Sequence, residues 1–199
     1  MNKAFNGDQL IWEEFISLVK EFDVEIIIET GTYKGDSTIE FAKLGMPVHT
    51  TEIRKTFHSE AVGKFQTAGL SLDPIFPHFG DSAKLLNTLV PNFARHKQRI
   101  ILFLDAHWYG DNCLERELKV LMGIDWQGVY PVILIHDMHV PGESYGFDIE
   151  NDRPISMDWI EPYIYTIYDG KFQYYYNTGI CNEASHNRGC AFIYPTKQS

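Results

Sequence analysis

Five carboxylates recur at comparable places along the chain. Glu29 closes the run Ile26-Ile27-Ile28, Glu52 closes Val48–Thr51, Asp81 follows Phe79-Gly80, and Asp105 closes Ile100–Leu104. Asp137 follows Val132–His136. Acidic groups are poor core residues. If each run is a strand of one parallel sheet, all five acids meet on one sheet edge, where α/β folds bind ligands. Solvent exposure of that edge accounts for one acid, not for five. His136 adds an imidazole at the fifth strand end, and His107 and His139 lie within two residues of Asp105 and Asp137.

The spacing around the first acid narrows the ligand. Glu29-Thr30-Gly31-Thr32-Tyr33-Lys34-Gly35 is a glycine-containing loop between a β-branched run and a helical pattern. Glu52 lies 21 positions after Gly31 (52 − 31). An acid at about that distance, ending the second strand, accepts hydrogen bonds from ribose hydroxyls. NAD or another adenine nucleoside fits that position. A dinucleotide loop needs a second glycine so that pyrophosphate can approach the backbone, and Tyr33 stands there. Glu29 would also repel a pyrophosphate. S-adenosylmethionine, which is cationic and free of phosphate, suits an acidic loop better.

The elements that must hold these residues are legible from periodicity. Residues 8–22 read as an amphipathic helix with Ile11, Phe15, Leu18, Val19 and Phe22 on one face and Asp8 as N-cap. Strands are expected at 25–29, 48–53, 74–79, 100–105 and 132–137, each followed by a helical pattern. The first of these helices should begin at a Ser37–Glu40 capping box. The helix after the third strand should stop near Pro91, and the next should be capped by Asn112 with Glu115. Residues 138–155, with Pro141, Gly142, Gly146 and Pro154, form a long irregular segment and a candidate substrate lid. A helix over 157–168 precedes two strand-like runs, 172–176 and 190–194. The alternation predicts a single α/β domain over 1–199, a doubly wound, seven-stranded, mostly parallel sheet ending in an antiparallel hairpin.

Composition bounds the partners. A net charge of −10 without a Lys/Arg cluster argues against a nucleic-acid substrate, whose binding is dominated by phosphate neutralisation. No apolar run reaches the roughly 18 residues of a membrane span, and no signal core opens the chain. Three cysteines in no framework spacing suit reduced thiols. The expectation is a cytoplasmic enzyme acting on a small molecule, away from membranes, with a homo-oligomer left open.

In this order, the pieces resemble the class I S-adenosylmethionine-dependent methyltransferases. The matching stretches are Glu29–Gly35, Glu52, Gly80-Asp81-Ser82 and Leu104-Asp105, followed by the terminal hairpin. The resemblance implies a cofactor site of Glu29, Thr30, Gly31, Gly35 and Ser37 under the methionine part. Glu52 would hold the ribose, with Gly80, Asp81 and Ser82 beside the adenine. Asp105, His107 and Trp108 complete the set. Phe103–Trp108 is similar to the Leu-Asp-His-Trp string of the catechol-type O-methyltransferases, with Ala106 inserted. There the strand-four Asp and an Asp-Asn pair bind Mg²⁺; Met138 replaces the Asn, and methionine does not serve a hard cation. The sequence also resembles macrolide-sugar O-methyltransferases and cephalosporin-hydroxylase-like proteins, whose Glu-Asp falls on His136-Asp137.

The resemblance implies a metal site of Asp105, His136 and Asp137, with His139 as a further ligand. His in place of Glu would favour Mn²⁺, Fe²⁺ or Zn²⁺ over Mg²⁺. His107, His139 and Tyr109 are the candidates for the catalytic base; histidine has the suitable pKa. Cys181, His186 and Cys190 fall short of a zinc ligand set. The expected reaction is methyl transfer from S-adenosylmethionine to a hydroxyl of a sugar or phenol. The rivals are an NAD-dependent oxidoreductase, a hydroxylase-like metalloenzyme and a non-catalytic nucleoside-binding protein.

Overall fold

The structure, a computed structural model, describes residues 2–69, 74–107, 112–182 and 184–196. Trp108 and Tyr109, expected at the site, lie outside the described residues. A 3-10 turn at Ala4–Gly7 leads into α1 (Gln9–Glu21). Five strands and the four helices between them follow: β1 (Ile26–Thr30), α2 (Asp36–Ala42), β2 (Val48–Glu52), α3 (Lys55–Thr67), β3 (Ile75–Phe79), α4 (Ser82–Arg95), β4 (Ile100–Leu104), α5 (Cys113–Met122) and β5 (Val132–His136). A two-stranded hairpin, β6 (Ile149–Glu150) and β7 (Arg153–Pro154), then precedes α6 (Met157–Ile167), β8 (Phe172–Tyr176) and β9 (Cys190–Pro195).

The main sheet has the order β3-β2-β1-β4-β5-β9-β8. β1 pairs in parallel with both β2 and β4, so the chain reverses its winding at the β1/β4 boundary. That is the topological switch point, and the crevice outside it is where such sheets bind ligands. Alternation along the central strands feeds two cores. Ile26, Ile28, Leu102 and Ile133 pack beneath α4, α5 and α6, while Ile27, Ile101, Phe103 and Leu134 pack beneath α1, α2 and α3. Burial on both faces explains why β4 and β5 read as unbroken apolar runs.

Several local expectations are corrected. α2 begins one residue before Ser37, from a left-handed Gly35 (φ +75°) with no side-chain cap. Ser37 Oγ instead accepts a bond from the Phe5 amide at 3.3 Å, and Glu40 pairs with Lys43. α4 runs through Pro91, because continuing the helix buries Val90 and Ala94, which outweighs one lost backbone bond. Asn112 makes no side-chain cap to α5. β9 is antiparallel to both neighbours and lies inside β8, so the inverted strand is penultimate rather than at the edge.

Residues 138–155 are not irregular throughout. Besides the β6–β7 hairpin, Met138, Tyr145 and Ile155 are buried, and His139 N donates to Ile155 O at 2.7 Å. No helix among the described residues is long and apolar enough to cross a membrane.

Candidate functional site

The loop after β1 lies directly against the end of β4. A Cβ on Gly31 (φ +83°) would fall 2.5 Å from the Asp105 carbonyl oxygen, so glycine is required for both backbone reasons. The Gly31 and Thr32 amides both donate to Thr51 O at 3.0 Å, and the Asp105 amide donates to Thr30 O at 3.2 Å. Loop, β2 and β4 are thereby locked into one floor.

Above it opens a cleft of about 720 Å³. Its walls include Gly31, Glu52, Gly80, Asp81, Ser82 and Asp105 from the expected cofactor set. Glu52 is 7% exposed, accepting from the Tyr33 amide through Oε2 and the Arg54 amide through Oε1, both at 2.8 Å. Tyr33 and Phe57 meet edge to face at 4.7 Å beside it, and Ile53 presents an exposed apolar surface. Asp81 caps α4 through the Lys84 amide at 3.0 Å and bonds Arg116 Nη1 at 2.5 Å. Partial burial pushes its carboxyl up, but Arg116 and the Lys84 amide prevail and hold it below the ordinary value.

Glu29 occupies a different place. It is 1% exposed, and Oε2 accepts from Thr38 Oγ1 and from Thr50 Oγ1, the latter at 2.7 Å. Burial pushes its carboxyl up to about 8 against those two hydroxyls, with Asp105 and Glu52 adding to the rise. The charge that the loop sequence suggests is therefore absent near pH 7. Glu29 and Ser37 line a smaller chamber of about 420 Å³ beneath the N-terminal turn, which shares Gly31, Tyr33, Asp105, Asn6 and Ser185 with the main cleft. Gly35 and Thr30 shape the floor and line neither space among the described residues.

At the other end of the cleft, β4 and β5 bring together Asp105, His107, His136 and Asp137. His136 Nδ1 stands 3.3 Å from Asp105 Oδ1 and 3.2 Å from Asp137 Oδ1; His107 Nε2 stands 3.6 Å from Asp137 Oδ2. These are charge contacts without hydrogen-bond geometry, since both nitrogens of each ring lack a hydrogen-bond partner while buried. Burial disfavours the charged form of both rings, but the surrounding carboxylates win and raise both pKa values, with Asp137 held far below its ordinary value despite its own burial.

The donor set fits a divalent transition metal. One ligand atom each from Asp105, His107 and Asp137 lies within 4.8 Å of the others. Orphaned buried imidazole nitrogens beside two carboxylate oxygens make a mixed N/O set of the kind Mn²⁺, Fe²⁺ or Zn²⁺ accepts. His136, the histidine of the expected metal set, stands beside the same two carboxylates with its ring against Phe103 (5.9 Å) and Phe5 (6.4 Å), and His107 joins them. His139 packs edge-on against Phe147 at 5.0 Å and is not among the described residues lining the cleft.

Other contributors carried no sequence signal. Arg188, from the loop before β9, donates through Nε to Asp137 Oδ1 and through Nη2 to Asp148 Oδ1. Glu117 of α5 is fully buried, and burial pushes its carboxyl up to about 7. Asn6 and Ser185 close the cleft from the N-terminal turn and the β8–β9 loop, Ser185 N donating to Asn6 O at 2.9 Å.

No family model matches the sequence, and no curated protein sequence matches it. Solved structures do match in fold. An O-methyltransferase from Bacillus cereus in complex with SAH superposes with a TM-score of 0.60 at 20% identity, covering 94% of this chain and 81% of that one. An rRNA methylase from Streptococcus thermophilus gives 0.55 at 14% identity, covering 95% and 98%.

The chain has the class I methyltransferase fold.

A Klebsiella pneumoniae chain assigned as an O-methyltransferase also shares this methyltransferase fold, with a TM-score of 0.61 at 18% identity over 93% of this chain and 79% of that one. In the frame of the methyltransferase fold, the cleft sits at the switch-point edge of the sheet, and the acids at β2, β4 and β5 all open into it.

Proposed function

We propose that the chain transfers a methyl group from S-adenosylmethionine to a hydroxyl oxygen of a small polar molecule. The observation that carries this reading is one continuous cleft, with the Glu52 carboxylate held at one end and Asp105, His136 and Asp137 at the other, where buried His107 stands 3.6 Å from Asp137. Each Glu52 oxygen already accepts one amide and retains a lone pair for a ribose hydroxyl. Tyr33, Phe57 and Ile53 supply apolar surface for an adenine. The volume suits one cofactor and a small acceptor.

The acceptor end is lined by Asp105, Asp137, Asp148, Ser185, His186 and Arg188. That polarity favours a sugar-like polyol over a phenol. The net charge of −10 and three carboxylates at this end also argue against a polyanionic acceptor.

The transfer is an in-line displacement. The acceptor oxygen attacks the methyl carbon, the carbon–sulfur bond breaks, its electron pair returns to sulfur, and the hydroxyl proton leaves to a base. The sulfonium supplies the reactivity, so the protein's contribution is alignment. Asp105 is half-buried at the cleft floor and, where no ion is bound, takes the proton in this reading. His107 is a weaker choice as base, because its carboxylate neighbours raise its pKa above the ordinary value when no ion is bound. Asp105, His107 and Asp137 would hold a divalent ion, which when bound lowers the pKa of a coordinated hydroxyl. Residues 138–155 act in this reading as a cover over the acceptor.

Calorimetry with S-adenosylmethionine, its demethylated product S-adenosylhomocysteine and NAD, with and without divalent ions, tests the proposal. The expected result is binding of the first two and not of NAD. Binding of NAD alone, or of none, overturns it.

A further inference from the structure

Arg188 is seated with more care than an ordinary surface arginine. Its side chain is 23% exposed and forks between Asp137 and Asp148. Gly146 provides the space: a Cβ there would come within 2.8 Å of Arg188 Nη1 and 3.0 Å of its Cδ. The backbone is stitched around the same point. Gly146 N donates to Asn187 O and Gly189 N to Gly146 O, both at 3.0 Å, and Gly189 itself sits against the Met138 carbonyl, where no Cβ would fit. Asp148 N donates to Asp137 O at 2.9 Å, so the two acids that share the guanidinium are fixed relative to each other.

The guanidinium therefore occupies an oxygen of Asp137, a residue that also belongs to the cluster able to hold a divalent ion. A cation bonded to a ligand carboxylate both uses one of its lone pairs and repels a second cation at that site. Asp148 offers Arg188 a second anionic partner that is not part of the cluster. Arg188 thus has somewhere to go without becoming an unpaired charge.

We propose that Arg188 is a built-in competitor for the metal position. It holds Asp137 when no divalent ion is bound and retires to Asp148 when one enters. This rests on the metal part of the function proposed above, not on the methyl donor. Arg188 is a positioning residue here: it acts through Asp137, and it ties metal occupancy to the segment that carries Asp148.

The test is Mn²⁺ binding, followed by calorimetry and by the paramagnetic resonance of free Mn²⁺. R188Q is expected to bind Mn²⁺ at least tenfold more tightly than the natural chain. R188K keeps the charge but loses the planar fork, and should fall between the two. D148N removes the alternative partner, holds Arg188 on Asp137, and should weaken Mn²⁺ binding; in the R188Q background that weakening should shrink at least threefold. G146A, which crowds the guanidinium without changing any charge, should tighten binding as R188Q does, and it serves if R188Q fails to fold. K119Q, on the exposed face of α5, is the control and should leave binding unchanged.

Equal or weaker Mn²⁺ binding by both R188Q and G146A overturns the proposal, as does no Mn²⁺ binding by any form, or a D148N effect that is the same in both backgrounds. S-adenosylhomocysteine is titrated in parallel. Binding of it without any Mn²⁺ response overturns the competitor and leaves the methyl-donor reading standing; the reverse pattern does the opposite.

Discussion

Glu52 joins the fold to the cleft through one side chain. Its carboxylate accepts the Tyr33 and Arg54 amides, so it orders the β1–α2 loop and the start of the β2–α3 turn while facing the cleft. Removing it leaves two amides without their acceptor and, in the proposed function, strips the ribose partner. Hydrogen bonds to a charged group contribute about 1.5–3 kcal/mol each, so Glu52→Ala should weaken S-adenosylhomocysteine binding by about 10- to 100-fold, read by calorimetry. Unchanged affinity would place the ribose elsewhere. Gly31 tests the floor beneath it. Gly31→Ala forces a methyl against the Asp105 backbone in a left-handed conformation, and should cost on the order of 2–4 kcal/mol in urea denaturation. A variant of natural stability would mean the loop can retreat from β4. The place of Glu52 on the cleft was legible from its 21-residue offset. That of Arg188 was not, because nothing in the local sequence says that a loop 51 positions past Asp137 folds back onto it.

α5 illustrates how one element borrows its end from another. Asn112 makes no side-chain cap, and the Leu114 and Glu115 amides donate instead to the buried carboxylate of Glu150, at 3.1 and 3.0 Å. A negative group at a helix N-terminus is favourable on both hydrogen-bonding and dipole grounds. Asn151 and Tyr163 add bonds to Glu115 on the same end of the helix. The β6–β7 hairpin is thereby anchored to α5, and a cover built from residues 138–155 would hinge about that anchor. Glu150→Ala should cost about 1–3 kcal/mol in chemical denaturation and raise amide exchange across 146–155 more than elsewhere. Uniform exchange would mean that the hairpin is held by other contacts. The Asn112–Glu115 pattern misled because an N-cap motif is local, whereas the acceptor that reaches this helix comes from 35 residues further on.

Buried titratable groups set how the molecule as a whole responds to pH. Glu29 and Glu117 have folded-state pKa values raised from 4.5 to about 8 and about 7. Such groups stabilise fully below pH 4.5, where both states are protonated, and lose that contribution as pH rises through 7 and 8, because the unfolded chain releases the protons first. His107 and His136, also raised, act in the same direction. His49 has the opposite sign: burial and the neighbouring His78 lower it from 6.5 to about 4, so its contribution is present above pH 6.5 and is lost as pH falls toward 4. In chelator, the urea midpoint should therefore peak at about pH 5–6 and decline toward pH 8. Glu29→Gln should flatten that decline; a midpoint rising steadily from pH 5 to 8 would contradict the burial of these acids.

The alternation of strands and helices, the two-sided burial of β4 and β5, and the acids at the strand ends were all determined by the sequence itself. The first two follow from local periodicity and the third is read directly from residue type and position, and these need no knowledge of distant contacts. The tertiary structure decided the rest. It put Glu29 under two threonines and neutral near pH 7, whereas its neighbours in sequence suggest an exposed anion. It brought His107 to the two carboxylates beside His136, whose ring packs among Phe5 and Phe103. It also brought Arg188 to Asp137 and Glu150 to α5. Charge state and ligand geometry depend on what packs around a group in three dimensions, and residues far apart in the chain supply that surrounding.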